Sequence, residues 1–173
     1  MYSEILKNLG ARALKDDSIE QCSYEQVRSE LGIRLPGDYV SLLNDYNGSI
    51  VFDNGAMFKP KQKTPIDSEN GFQSLEILYG LSGKDSLIKK NVMYKDQIPA
   101  GFVTIGESIG GSQVCMSSAG GGVYFWFHES ETDDSSLFVV SDSLNSFINS
   151  LVIDDMQGQN KREVDDSGSF LDF

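Results

Sequence analysis

Residues 23–48, SYEQVRSELGIRLPGDYVSLLNDYNG, decide the fold. Ser23 and Gln26 have capping-box spacing, Tyr24, Val27 and Leu31 recur at helical intervals, and Gly32 stands where a left-handed C-cap is required. These features predict a short helix. Pro36 suits the first turn of a second helix, where its missing N–H costs nothing, and Asp38 places negative charge near that helix's positive end. Tyr39, Leu42, Leu43 and Tyr46 form one apolar stripe, which Asn47 and Gly48 terminate. Such a stripe has to be buried, and the glycine-punctuated apolar runs downstream supply a sheet to bury it.

Upstream, Tyr2, Ile5, Leu6, Leu9 and Ala13 predict an amphipathic helix capped from Ser3, before the polar stretch Lys15 to Gln21. Downstream, Ile50 to Phe52 and Ala56 to Phe58 flank Asp53-Asn54-Gly55, a hairpin signal. Lysines 59, 61 and 63 mark a local basic cluster in a polar loop. Phe72 to Tyr79 alternates as a half-buried strand, with Leu75, Ile77 and Tyr79 on one face. Asp85 or Ser86 caps a short helix through Tyr94, in which Ile88 and Val92 make a helical pair. Strands then follow at Phe102 to Ile105, Gln113 to Ser117 and Val123 to His128, separated by glycine turns, as in an antiparallel meander. A last strand, Leu137 to Val140, leads to a helix capped by Asp142 or Ser143 and striped by Leu144, Phe147, Ile148 and Leu151. The fold expected is α+β: one domain over residues 1–152, an antiparallel, meander-like twisted sheet with helices mainly on one face. Residues 153–173 read as an acidic, polar C-terminal tail.

The chain has 173 residues, one domain's worth, with 26 acidic against 14 basic residues and a net charge of −12. Such a surface repels phosphate, which argues against direct nucleic-acid binding and suits a basic partner, although acidity also serves solubility. The N-terminus lacks the pattern of a secretory signal, and the longest apolar run, Val123 to Phe127, is far short of a membrane span, so a cytoplasmic protein without membrane contact is expected. Cys22 and Cys115 are isolated, without metal or redox spacing.

Several chemical motifs fail on context. Gly106-Glu107-Ser108-Ile109-Gly110 matches G-x-S-x-G but leads into another strand, whereas a nucleophile elbow leads into a helix. His128, the one histidine, sits at a strand end beside Trp126, where packing is the simpler role. Gly80 to Lys84 lacks the spacer and the hydroxyl residue of a phosphate loop. Glu129, Glu131, Asp133 and Asp134 lack the spacing of a calcium loop. No catalytic residue, metal or cofactor is therefore expected. Those four carboxylates, beside Tyr124 and Trp126, are instead the candidate partner-binding residues, set against a merely solvating role.

In order along the chain, Glu30-Leu31-Gly32, Leu35-Pro36, Asp38-Tyr39, Leu42-Leu43, Asn47-Gly48, Ile98-Pro99, Phe102 to Gly106, Val114-Cys115-Met116 and Val123 to His128 resemble the SUKH superfamily. The likeness covers roughly residues 20 to 152. It implies mainly structural roles for Leu31, Gly32, Leu35, Pro36, Tyr39, Asn47, Gly48 and Trp126. Ser112-Gln113 departs from the acidic residue that relatives often place there, so a binding role tied to that acid does not carry over. The superfamily includes bacterial immunity proteins and fungal regulators of cell-wall glucan synthesis. The resemblance implies a non-enzymatic antitoxin that binds a cognate, basic toxin, such as a nuclease, and blocks it. The alternative it implies is a regulatory scaffold of the fungal type, whose long flanks this chain lacks.

Overall fold

The computed structural model describes residues 2–14, 22–66, 68–130 and 136–155. Helix α2 (Tyr24–Leu31) opens with the capping box: Ser23 Oγ accepts from Gln26 N–H at 3.3 Å, and Gln26 Oε1 accepts from Ser23 N–H at 2.8 Å. Gly32 closes it in the left-handed conformation. Helix α3 (Gly37–Tyr46) buries Tyr39, Leu42 and Leu43 and ends at Asn47, whose φ of 59° and ψ of −57° make a tight turn closed by Gly48 N–H donating to Tyr46 O at 2.7 Å. Pro36 is the N-cap of α3, one position earlier than its expected place in the first turn.

The sheet these helices cover has seven strands among the described residues. They are β1 (Ala11–Ala13), β2 (Ile50–Phe52), β5 (Ile77–Leu78), β6 (Phe102–Glu107), β7 (Gln113–Ser117), β8 (Val123–Trp126) and β9 (Leu137–Ser141). They lie in that order, every pair antiparallel, so β5 to β9 form the expected meander. Alternate residues of the meander, among them Ile105, Val114, Met116 and Phe125, meet Val27, Tyr39 and Leu43 of the helices in one core. Helices α1 (Ser3–Asn8) and α5 (Leu144–Asn149) join the same core through Leu6, Leu9, Phe147 and Ile148, and Ser143 caps α5. The fold is a single-domain α+β arrangement with an antiparallel sheet.

Four local expectations are corrected. The N-terminal helix stops at Asn8, because Gly10 turns the chain and Ala11–Ala13 pair with β2 as an edge strand; Tyr2, not Ser3, is the N-cap. The Asp53-Asn54-Gly55 turn makes no hairpin. β2 pairs with β1 and β5, whereas β3 (Met57–Phe58) pairs with β4 (Gln73–Ser74) in a separate two-stranded sheet. The turn has another tenant: at φ +71°, a Cβ on Gly55 would fall 2.5 Å from Asp154 Cβ, so the segment after α5 packs on it. The stretch 72–79 accordingly splits between two sheets, β4 and β5. Finally, α4 (Leu87–Met93) leaves Val92 66% exposed, since its inward positions are Leu87, Lys90, Asn91 and Tyr94.

The backbone at Gly80 crosses close to that at Gly48: a Cβ at Gly80 would fall 2.2 Å from the Gly48 carbonyl group and 2.6 Å from Ser49 N. Gly80→Ala is expected to lower the urea midpoint by the equivalent of about 3 kcal/mol, because backbone has to move. Gly120→Ala, at a position with nothing within 4 Å, should stay within about 0.5 kcal/mol.

Candidate interaction surface

The second face of the meander begins with a β-bulge. Thr104 pairs with Cys115 but Gly106 pairs with Val114, so Ile105 is an extra residue and Glu107 is turned to the same face as Thr104 and Gln113. There it meets α4. Lys90 Nζ lies 3.2 Å from Glu107 Oε2 and 3.1 Å from Asp85 Oδ1, and 5.3 Å from the centre of the Tyr79 ring. The Tyr79 hydroxyl, fully buried, lies 2.7 Å from Gln113 Oε1 and 3.1 Å from Glu107 Oε2; its single proton serves one acceptor at a time. Thr104 Oγ1 reaches the same Gln113 oxygen at 2.8 Å. Where β5 ends, the exposed edge of β6 is taken by a side chain: Asn91 Nδ2 donates to Thr104 O at 2.9 Å and its Oδ1 accepts from Thr104 N–H at 2.9 Å.

This cluster fastens a helix rather than presenting a reactive group. Burial alone would lower the Lys90 pKa, but hydrogen bonds and charges from Asp85 and Glu107 outweigh it and hold the ammonium above the ordinary lysine value. Burial, then the Glu107 charge, pushes the Tyr79 hydroxyl up, and the same two causes raise Tyr94. Ser108 of the G-x-S-x-G stretch is 1% exposed and donates to Ser74 O at 2.6 Å. It precedes a short turn, Ile109–Gly111, and then β7, the strand–turn–strand context expected. Among the described residues no three His, Cys, Asp or Glu side chains gather as metal ligands would.

Beyond the cluster, the same face carries aromatics. Phe102 and Tyr124 meet edge to face at 5.0 Å, both half-buried. Trp126 is 5% exposed: it packs with Ile98 and Cys115 under Tyr94, whose ring lies 5.9 Å away. It is thus floor to the surface and not a projecting anchor. His128 and Glu129 are exposed where β8 ends, with the histidine ring 6.4 Å from Trp126. On α4, Val92 and Met93 are 66% and 61% exposed. Glu131, Asp133 and Asp134 lie outside the described residues. A hollow of about 420 Å³ is lined by Lys63, Pro65, Phe127, Ser130, Leu137 and Phe138.

The structural residues expected from the resemblance sit as follows. Leu35 is buried and its N–H donates to the Tyr24 hydroxyl at 3.0 Å; Tyr39 is fully buried; Leu31 packs half-buried against the core. Asn47 O accepts from Leu81 and Ser82 N–H groups at 2.7 and 3.2 Å, which ties the end of α3 to the loop before α4. Pattern reading missed the polar cluster, because the pairing of Ile88 with Val92 turns Lys90 outward and Glu107 falls on the wrong face without the bulge. The signal available was Gln113, a polar residue in the middle of an apolar meander.

The family described as SMI1 / KNR4 (SUKH-1) matches residues 19–150. Over 138 residues the chain is 29% identical to the SPbeta prophage-derived uncharacterized protein YokK of Bacillus subtilis (strain 168), a match spanning 74% of this chain and 72% of that protein.

Tyr79, Tyr94 and Lys90 all hold their protons more tightly folded than unfolded. Their contribution is whole below the unfolded values near pH 10 and is lost as pH rises through the folded ones. The melting temperature should therefore fall as pH is raised past about 10, and these three groups should cause no loss between pH 7 and 9. Lys90→Met, which leaves Glu107 and Asp85 without their cation, is expected to cost about 2 kcal/mol in urea unfolding at neutral pH. Burial pushes the Cys115 thiol up and seals it, whereas Cys22 is half-exposed, so a thiol reagent should label Cys22 in the native protein and both cysteines in urea.

Proposed function

The chain belongs to the SMI1 / KNR4 (SUKH-1) family, and from that premise we propose that it is an antitoxin, or immunity protein, that binds one bacterial toxin and blocks it. The observation that carries this reading is the second face of the meander. Phe102 and Tyr124 form a half-exposed aromatic pair beside the packed Trp126, Ile98 and Cys115, with His128 and Glu129 exposed where β8 ends, on a chain of net charge −12. Aromatic anchors on a fixed platform supply binding energy, and net negative charge hastens encounter with a basic partner. A nuclease toxin has such a basic cleft. A prophage-derived relative also fits genes carried in conflicts between bacteria and phage. The reading asks no bond-breaking of this protein, needs no cofactor, and places it in the cytoplasm with its target. A regulatory scaffold of the fungal type would use the same surface on a signalling protein, but nothing in this geometry favours it.

The test is co-expression with the toxin encoded beside its gene, together with titration of the purified pair. The wild-type chain should restore growth and bind stoichiometrically. Tyr124→Ala with Phe102→Ala should weaken binding by about thirtyfold or more, and raising salt should slow association much more than it speeds dissociation. Absence of both a complex and growth rescue would overturn the reading.

A further inference from the structure

On a different part of the molecule, an open groove of about 1150 Å³ runs between α1 and the segment that follows α5. Its walls are mixed: Ile5, Leu9, Met57, Phe72 and Leu151 supply the apolar part, Asn8, Asn70 and Asn149 are among the polar lining, and Val152 and Ile153 stand 42% and 43% exposed along one side. That side is fixed. Val152 N–H donates to Met57 O at 3.0 Å and Met57 N–H donates to Val152 O at 2.8 Å, while Asp154 is seated on the Gly55 turn. Two adjacent exposed branched residues are thus held rigidly toward solvent beside a preformed hollow.

The charge that lines this groove is acidic, and beside it Lys59 Nζ lies 5.6 Å from the centre of the Phe72 ring. Glu4, Glu69, Asp154 and Asp155 line it, and no lysine or arginine does among the described residues. Its volume exceeds the range usual for a small-molecule pocket, about 300–1,000 Å³, and it is open along its length, which suits a peptide segment. We propose that this groove docks a segment of a partner protein in which leucine-like side chains alternate with lysines or arginines. The apolar side chains would cover Val152 and Ile153. The cationic ones would lay their stems on the same surface and carry their heads to Glu4, Glu69 and Asp155. The proposal rests on the reading of this chain as an interaction protein and gives it a second contact, which shares no residue with the aromatic face.

The probe is a short fluorescein-labelled peptide alternating leucine and lysine, followed by fluorescence anisotropy on the full chain, with a leucine-and-glutamate peptide as the control. The lysine peptide should bind and the glutamate peptide should not. Glu4→Lys with Glu69→Lys, and separately Ile153→Asp, should each weaken binding about tenfold with the melting curve retained. Glu25→Lys with Glu30→Lys, the same charge change on the exposed face of α2, should alter it less than about twofold. Equal loss in both charge pairs would reduce the effect to net charge and overturn the proposal. So would a tenfold gain in Phe170→Ala/Leu171→Ala/Phe173→Ala, which would give the groove to the chain's own last residues. A dimer in sedimentation that Ile153→Asp dissolves would give it to a second copy and overturn it likewise. Because the probe is synthetic, failure here leaves growth rescue by the toxin-binding face untouched, and the two outcomes separate.

Discussion

The crossing of two glycine backbones, Gly48 over Gly80, is the constraint from which the rest of this architecture hangs. At Gly48 the chain leaves α3 and enters β2; at Gly80 it leaves β5 and heads for α4. No side chain fits between them, so the end of the helical layer and the start of the α4 loop are brought to van der Waals contact. Hydrogen bonds then lock the crossing: Asn47 O takes the N–H groups of Leu81 and Ser82, Ser49 Oγ donates to Asp85 O at 2.7 Å, and Gly80 N–H donates to Ser49 Oγ at 3.1 Å. Asn47 takes a positive φ in a three-residue turn, closed by Gly48 N–H donating to Tyr46 O, and its carbonyl leaves the helix there. The Asn-Gly pair that reads as a helix stop is thus also a joint between two layers.

From that joint the position of α4 follows, and with it the polar cluster. Asp85 arrives in the loop and Lys90 one turn into the helix, facing Glu107, which the bulge in β6 has turned toward them. A seven-residue helix has little apolar surface with which to dock, and Leu87 is its only fully buried side chain. Directional bonds replace area: Asn91 grips both backbone groups of Thr104, and Lys90 bridges two carboxylates. Such a cluster stabilises only when complete, because each buried member left alone carries its full desolvation cost. Its completeness here explains why so short a helix can close the sheet edge at β6 and carry Tyr94 over Trp126.

Legibility divides along the same physical line. Helices α2, α3 and α5 could be read because their caps and apolar periods are local: Ser23, Gly32, Ser143 and the stripe from Tyr39 to Tyr46 announce themselves within a few residues. The meander was legible for the same reason, each strand alternating between glycine turns. What failed depended on distant chain. Asn54-Gly55 has hairpin chemistry, yet its neighbour is Asp154, about a hundred residues on, and Ala11–Ala13 became a strand only because β2 offered an edge. Trp126 and Tyr124 were both singled out by aromatic density, but exposure is set by Tyr94 and Ile98, which cover one and leave the other. The inward turn of Lys90 was invisible without Glu107, and Glu107 was invisible without a bulge.

This division bears on what kind of molecule the fold can be. Leu31, Gly32, Leu35, Tyr39, Asn47 and Gly48 are spent on caps, core and the backbone joint, and none of them reaches the aromatic face or the groove beside α1. On those two surfaces, Phe102 and Tyr124 on one and Ile153, Glu4 and Glu69 on the other, it is backbone and not side chain that closes the adjoining turns, Phe102 N–H on Pro99 O and Gly71 N–H on Ser68 O. Side chains there can be exchanged without disturbing the joint, the bulge or the polar cluster. Substitution at such positions normally shifts stability by less than about 0.5 kcal/mol, whereas it can shift the affinity of a partner by several times that. A scaffold whose folding signature and proposed binding surfaces occupy separate residues meets the physical requirement for varying those surfaces while keeping its shape.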